Sequence, residues 1–278
     1  MALIPPFFLD CVVAIGVEKP DETKQWIGTG FLFGKFTQQK PDNQKEYEMY
    51  LVTNKHVLDN QNDIILRFNA KGDSPAKDYP VKLTNQEGVK IWTGHPNEKI
   101  DVAVLGVDVN LLDTEGMNYN FFRSDDTVFT KDDLIKMETT EGDYVYVLGF
   151  PMGLVGIDRQ HVILRNGSIA RIRDLFENRS TDFMVDALVF PGNSGGPVVL
   201  RPEMMSIQST KSNSKAGLIG VIKSYIPYQD IAISQQTNRP RIIFEDNSGL
   251  SLVEPVDYII EAISEDKRVI PRPERKTE

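Results

Sequence analysis

The sequence predicts an all-β fold in which two six-stranded barrels are followed by a C-terminal helix. Short segments rich in β-branched and aromatic residues recur along most of the chain, and polar or Gly/Pro-containing stretches separate them. Helical periodicity is convincing in only two segments. With 278 residues, 40% of them hydrophobic, the chain is long and apolar enough to bury a core in each barrel.

The first barrel is expected within residues 1–115. Its six strands are predicted at residues 12–17, 30–33, 49–52, 64–68, 90–92 and 102–107. A connection of mixed character follows at residues 116–142. There, Thr130 is placed to cap a short helix at residues 131–136, whose first turn carries acidic side chains.

The second barrel is expected within residues 143–252. Its strand segments are predicted at residues 144–148, 162–164, 167–172, 183–185, 197–200, 217–222 and 241–244. Residues 253–278 should form a helix, with Pro255 at its start, and then a solvated basic tail. Polar stretches at residues 35–48, 70–78, 201–215 and 229–240 are expected to be surface loops or long hairpins.

A serine is displayed on a glycine-rich turn, Pro191-Gly-Asn-Ser194-Gly-Gly-Pro197. Such a hydroxyl becomes a nucleophile when a base accepts its proton and N–H donors receive the oxyanion. His56 follows an apolar strand segment, and Asp101 precedes another with no basic residue close after it. Each alone could be structural, a strand-end histidine and a cap, but with Ser194 they form a candidate catalytic triad.

These segments resemble the trypsin-like, chymotrypsin-fold serine peptidases, and most closely the bacterial HtrA-type branch. Six segments carry the resemblance in the family's order, at residues 28–33, 52–57, 101–105, 147–154, 191–197 and 249–256. The resemblance implies two Greek-key barrels with the site in the cleft between them. Asn193 stands where digestive enzymes carry Asp, which favours the HtrA-type branch and argues against activation by a newly cut N-terminus. No PDZ domain is expected after the helix.

The resemblance implies a serine endopeptidase that acts on polypeptides without a metal or an organic cofactor. His56, Asp101 and Ser194 would be catalytic, and the backbone N–H groups of Gly192 and Ser194 would form the oxyanion hole. The main alternative is a catalytically silent or partner-activated module that binds or senses. Regulation, where it exists, is expected through loop ordering, oligomerisation or an activating protein partner.

The primary specificity pocket is predicted from the same resemblance. Leu188, six positions before Ser194, would line its base, and Lys223, Ser224 and Tyr225 would form the opposite wall. This set predicts a small or medium apolar side chain before the scissile bond. An acidic side chain is the second expectation, if Lys223 points into the pocket.

The composition of the chain limits which partners and which cellular location are expected. A net charge of −9 disfavours nucleic acids and anionic membranes as partners. Residues 1–17 lack the positive segment of a signal peptide, and no apolar run reaches the about 18 residues that a membrane span needs. The single cysteine, Cys11, cannot form an internal disulfide, whereas secreted trypsin-like enzymes usually contain several, so we expect a cytoplasmic location.

Overall fold

The structure, a computed structural model, describes residues 4–204 and 210–266. Its strands are β1 (Val12–Glu18), β2 (Lys24–Gln39), β3 (Lys45–Thr53), β4 (Asp63–Ala70), β5 (Lys77–Lys82), β6 (Thr93–Gly94), β7 (Ala103–Gly106), β8 (Met117–Asn118), β9 (Phe122–Arg123), β10 (Tyr144–Gly149), β11 (Ile163–Arg171), β12 (Phe183–Asp186), β13 (Pro197–Leu200), β14 (Gly217–Ile233) and β15 (Pro240–Pro255). Its α-helices are α1 (Lys55–Leu58), α2 (Val109–Thr114), α3 (Lys131–Lys136), α4 (Arg173–Phe176) and α5 (Asp257–Glu265), and Pro6–Cys11 and Pro151–Gly153 are 3-10 turns.

The predicted all-β fold class is confirmed. Strands β10-β11-β12-β15-β14-β13 close into a six-stranded barrel. The first half of the chain forms a nine-stranded sheet with the order β5-β4-β1-β2-β3-β7-β6, to which β8 and β9 add by pairing with β4 and β2. The basic tail and the middle of the predicted loop at 201–215 lie outside the described residues.

Strand β1 shows how the first sheet separates two cores. Because side chains alternate along a strand, Val13 and Ile15 pack into the interior of the first sheet. Val12 and Ala14 face the opposite way and pack in a cluster that also contains Tyr146 and Leu148 of β10, Phe31 of β2 and Ile259 of α5. We call this shared cluster the interface core, and it fixes the first sheet against the second barrel.

Strand β10 has the complementary arrangement. Tyr146 and Leu148 belong to the interface core, whereas Val145 and Val147 point into the closed barrel. The barrel interior is filled by apolar side chains of its six strands, including Val185, Val198 and Ile219. The alternation of apolar residues on both faces explains why these strands are continuous hydrophobic runs in the sequence.

Several element boundaries differ from the prediction. Residues 90–92 are not a regular strand, and the short strand β6 forms directly after them. The segments predicted at 162–164 and 167–172 join into the single strand β11. The C-terminal helix begins at Asp257 rather than at Pro255, because Pro255 still pairs with Gly220 in the β14–β15 ladder.

The α3 helix forms where it was predicted. Thr130 accepts a hydrogen bond from the Asp133 backbone N–H, and the Asp133 carboxylate accepts one from the Thr130 backbone N–H. This reciprocal capping box satisfies two N–H groups that would otherwise lack partners at the start of the helix. Among the described residues, no helix has both the length and the apolar character needed to cross a bilayer.

Strands β14 and β15 continue far beyond the barrel. Their pairing runs from Gly220 opposite Pro255 to Ile233 opposite Pro240. The neighbouring strand β13 pairs with β14 only as far as Val221, and β12 pairs with β15 only as far as Leu250. We call the projecting ribbon, residues 226–247, the arm. The polar stretch at 229–240 is therefore the end of a long hairpin, one of the two outcomes expected for it.

Candidate active site

Two adjacent strands of the first sheet bring His56 and Asp101 together. Strand β3 ends at Thr53 and leads into α1, which carries His56, while Asp101 lies just before β7. Thr53 pairs with Ala103, so the residues that follow one strand lie beside those that precede the other. The Asn54 side chain also donates a hydrogen bond to the Asp101 backbone carbonyl at 2.6 Å.

The Asp101 carboxylate holds His56 at two points. Its Oδ2 lies 2.5 Å from His56 Nδ1, and its Oδ1 accepts the His56 backbone N–H at 3.1 Å. Burial acts to raise the pKa of Asp101, but the hydrogen bonds and the charge attraction from His56 outweigh it and lower the pKa. Asp101 is therefore ionised near neutral pH and orients the imidazole with Nε2 toward the cleft.

The turn around Ser194 requires its glycines. Gly192 and Gly195 have φ angles of 99° and 82°, in the region that side chains other than glycine rarely adopt. A Cβ on Gly192 would lie 2.4 Å from the Phe150 carbonyl oxygen, and one on Gly195 would lie 2.1 Å from that of Thr29. The backbone closes on itself here, since Asn193 N–H donates to the Phe190 carbonyl oxygen at 2.9 Å.

Three contacts orient the backbone on either side of Gly192. The Pro191 carbonyl oxygen accepts the Met152 N–H at 2.6 Å. The Gly192 carbonyl oxygen accepts the Thr29 hydroxyl at 2.6 Å, and that hydroxyl accepts the Phe150 N–H at 3.1 Å. Within the described part of the chain, the N–H groups of Gly192 and Ser194 have no acceptor. Two free donors at this turn are what an oxyanion hole requires.

The three predicted catalytic residues line one cavity of about 350 Å³. Its walls are His56, Asp101, Val189, Phe190, Pro191, Ser194, Ile222, Lys223, Ser224 and Tyr225. No hydrogen bond joins Ser194 Oγ to the His56 ring among the described residues, a contact that often tightens only when substrate binds. A second cavity, of about 500 Å³, lies on the second barrel, and the described residues that line it include no serine and no histidine. They are residues 137–140, 142–144, 200–201, 203, 210–211 and 213.

Three of the four predicted specificity residues line the cavity, and Leu188 does not. Ser224 and Tyr225 line the cavity, but Leu188 is not among the residues that do, and its side chain is 43% exposed. Val189 and Phe190 take that position in the wall. Lys223 reaches the cavity, yet its ammonium group is bound to two carboxylates behind the wall, so its charge is already compensated.

A buried ionic network behind Asp101 was not predicted from the sequence. Glu254, which has no solvent exposure, accepts the Asp101 backbone N–H at 3.0 Å and the Lys223 ammonium at 2.9 Å. Lys223 also lies 3.3 Å from the Asp182 carboxylate. Burial raises the pKa of Glu254, and the bonds to Asp101 and Lys223 act against this rise. The sequence does carry a signal for this network: Glu254 is a single carboxylate within the apolar run Leu-Val-Glu254-Pro-Val, and a buried carboxylate needs a partner.

Comparisons with known proteins place this geometry in a family. Residues 28–203 match the model of the trypsin-like peptidase domain. A probable periplasmic serine endoprotease, DegP-like, of Pseudomonas savastanoi pv. phaseolicola (strain 1448A / Race 6) is 25% identical over 210 residues, which are 74% of this chain and 34% of the relative. A protein of the same description from Pseudomonas fulva (strain 12-X) is 26% identical over 199 residues, 71% of this chain and 32% of the relative. The chain spans about a third of the length of these curated relatives.

The relatives contradict the prediction of a cytoplasmic location, because both are described as periplasmic. The prediction was wrong in its use of Cys11. A chain that buries large hydrophobic clusters does not depend on disulfides for stability, so a lone cysteine says little about the compartment. Cys11 itself is fully buried in the interface core.

Proposed function

This chain belongs to the trypsin-like peptidase family, and from that membership we propose that it is a serine endopeptidase acting through His56, Asp101 and Ser194. The observation that carries the proposal is the two-point contact of Asp101 with His56 in the cavity that Ser194 also lines. A partly buried, ionised carboxylate on Nδ1 holds the imidazole in the tautomer whose Nε2 can accept a proton.

In the acylation step, Ser194 Oγ attacks the carbonyl carbon of the scissile peptide bond. His56 Nε2 takes the hydroxyl proton as the C–O bond forms, and Asp101 stabilises the imidazolium that results. The negative charge moves to the carbonyl oxygen, which receives hydrogen bonds from the N–H groups of Gly192 and Ser194. His56 then gives its proton to the leaving nitrogen, the C–N bond breaks, and an ester to Ser194 remains.

In the deacylation step, water takes the place of the leaving amine. His56 accepts a proton from the water as its oxygen attacks the ester carbonyl, and the same two N–H groups bind the second oxyanion. The C–O bond to Ser194 breaks, and His56 returns the proton to Ser194 Oγ. The residues end in their starting protonation states, so the cycle consumes only the peptide and one water.

The walls of the cavity favour an apolar side chain before the scissile bond. Val189, Phe190 and Ile222 supply apolar surface, and the Lys223 charge is bound to Glu254 and Asp182. Profiling with a peptide library should therefore give small or medium apolar residues at this position. A preference for Arg or Lys would contradict the proposed pocket.

A fluorophosphonate probe tests the nucleophile directly, because it forms a bond only with an activated serine. We expect wild type to be labelled and Ser194→Ala not to be. Ser224→Ala is the matched control, since Ser224 lines the same cavity. Hydrolysis of an unfolded protein substrate should fall by about 10⁴-fold in Asp101→Asn, because the altered side chain favours the wrong imidazole tautomer.

The same experiment addresses the catalytically silent alternative. If folded wild type neither reacts with the probe nor cleaves unfolded protein at high concentration, the proposed function is wrong for the isolated chain. Labelling that is equal in wild type and Ser194→Ala would place the nucleophile elsewhere. A circular dichroism spectrum that is the same for all variants establishes that the comparison is between folded proteins.

A further inference from the structure

The arm exposes apolar side chains on both of its faces. The six large ones are Tyr228, Ile231, Ile233, Ile242, Ile243 and Phe244, and each is between 47% and 63% exposed. Ile231 pairs with Ile243 on one face, while Ile242 and Phe244 alternate to the other. A two-stranded ribbon with apolar residues on both faces is marginal in water unless another surface packs against it.

The outer edge of β15 within the arm is also open. Strand β12 pairs with β15 only through Leu250–Val253, opposite Asp186–Phe183. Among the described residues, no strand pairs with the outer edge of residues 240–246. A row of free N–H and C=O groups beside apolar side chains is a template for another strand.

We propose that the arm is a homodimerisation element, in which the outer edge of β15 pairs antiparallel with the same edge of a second copy, centred on Ile243. A two-fold axis at Ile243 places Ile243 opposite its counterpart and Ile242 opposite Phe244 of the second copy. One face then carries a continuous apolar row that runs from Ile231 through both Ile243 side chains to Ile231 of the second copy.

Charge complementarity selects this register. With the axis at Ile243, Arg241 lies at the level of Glu245 of the second copy, and the symmetry brings these two charges together twice. Arg241 is the residue that the β14–β15 ladder skips between Ile242 and Pro240, so it has no paired residue on β14. An axis at Ile242 would place Arg241 opposite Ile243, and an axis at Phe244 would place Glu245 opposite Ile243. Among the described residues, no carboxylate pairs with Arg241. Glu245 accepts only neutral donors, from Tyr225 and Gln229.

The other edge of the arm fits a second copy less well. The outer edge of β14 carries Asp230 between Tyr228 and Ile233 and no basic residue to oppose it. It also continues into Ser224 and Tyr225 in the wall of the candidate active site. Pairing through β15 therefore avoids the strand that carries these two wall residues. The dimer is tested separately from the proposed peptidase activity.

Charge exchange tests the register. Sedimentation velocity of the full chain over a broad range of concentrations should show a monomer–dimer equilibrium. Arg241→Glu should weaken dimerisation by about tenfold, because it places like charges opposite each other twice. Glu245→Arg should do the same, and the double variant Arg241→Glu/Glu245→Arg should restore the dimer. Arg239→Glu, the same change two residues earlier and just before β15, is the matched control and should leave dimerisation unchanged.

Cross-linking tests the centre of symmetry. In Ile243→Cys the new thiols of two copies face each other across the axis, within the reach of a disulfide, so mild oxidation should give a covalent dimer. Ile231→Cys lies on the same face of the arm but one strand further from the axis, and should not cross-link. Cys11 is fully buried and should not react. A monomer at all concentrations, or a dimer that responds to neither the charge exchange nor the cysteine position, would overturn the proposal.

Discussion

The backbone N–H of Met152 donates a hydrogen bond of 2.6 Å to the carbonyl oxygen of Pro191. A trans peptide is planar, with its C=O and N–H pointing in opposite directions, so this bond turns the N–H of Gly192 away from Met152. Met152 makes the contact from a left-handed conformation, with φ of 56°, in the turn between Pro151 and Gly153. The donor that would bind the oxyanion is thus oriented by a neighbouring loop.

Replacing Gly192 should lower both activity and stability, because a side chain there would meet backbone atoms rather than a movable side chain. In Gly192→Ala the new Cβ would meet the Phe150 carbonyl oxygen at 2.4 Å, so the peptide must rotate and lose its alignment. Loss of one oxyanion donor lowers kcat by about 10²–10³-fold. Gly72→Ala is a control with a similar φ, 70°, and no neighbour within 4 Å. It should lower stability by about 1 kcal/mol and leave kcat unchanged. Wild-type kcat in Gly192→Ala would contradict the role proposed for this donor.

Thr29 should be needed for its hydroxyl rather than its methyl group. The fully buried hydroxyl donates to the Gly192 carbonyl oxygen and accepts from Phe150 N–H. Thr29→Val leaves both groups without a partner, which should lower the free energy of unfolding by about 1–3 kcal/mol and reduce kcat. Thr29→Ser keeps the hydroxyl and should retain most of the activity. Urea unfolding and steady-state hydrolysis measure the two effects, and equal activity in the two variants would argue against this role.

The buried network should act on catalysis through the Asp101 backbone. Glu254→Gln retains an acceptor for the Asp101 N–H and should keep kcat within about threefold of wild type. The double variant Lys223→Met/Glu254→Leu removes the buried Glu254 charge together with that of Lys223. Asp182 loses Lys223 but is partly exposed and keeps its hydrogen bond from the Ser180 hydroxyl, so the variant should fold. It also removes the acceptor, and we expect kcat to fall about tenfold while KM changes little. Wild-type kcat in this double variant would limit the network to a structural role.

Stability at acid pH should depend on Glu141. Burial acts to raise the pKa of this side chain, but hydrogen bonds from the Ile172 and Arg173 N–H groups outweigh it and hold the pKa at about 2. The unfolded chain binds this proton at a pKa of about 4, so the contribution is present above pH 4 and is lost as the pH falls toward 2. Glu141→Gln should lose about 1 kcal/mol at neutral pH and show a shallower acid limb in urea unfolding. The exposed Glu98→Gln should reproduce the wild-type curve.

What the sequence predicted well is local. The Ser194 turn could be predicted because glycines are required where φ is positive. The α3 cap could be predicted because its donor and acceptor lie three residues apart in the sequence. Strand β5 was missed because it is polar and contains Pro80, and it forms only by pairing with β4. The Lys223–Glu254 contact depends on the register between the neighbouring strands β14 and β15, which are about 30 residues apart in sequence at this point, so no short window of sequence records it.

The interface core makes each half of this molecule depend on the other, because both halves contribute side chains to it. Thr29 of the first sheet bonds to the Ser194 and Gly192 carbonyl oxygens of the second barrel, so the turn that displays the nucleophile is held from across the boundary. A chain cut in the connection between the halves would give two fragments, each with half of that apolar cluster facing water. Recovery of hydrolysis after mixing such fragments would then measure their reassociation, and the proposed catalytic centre would act as its own reporter of assembly.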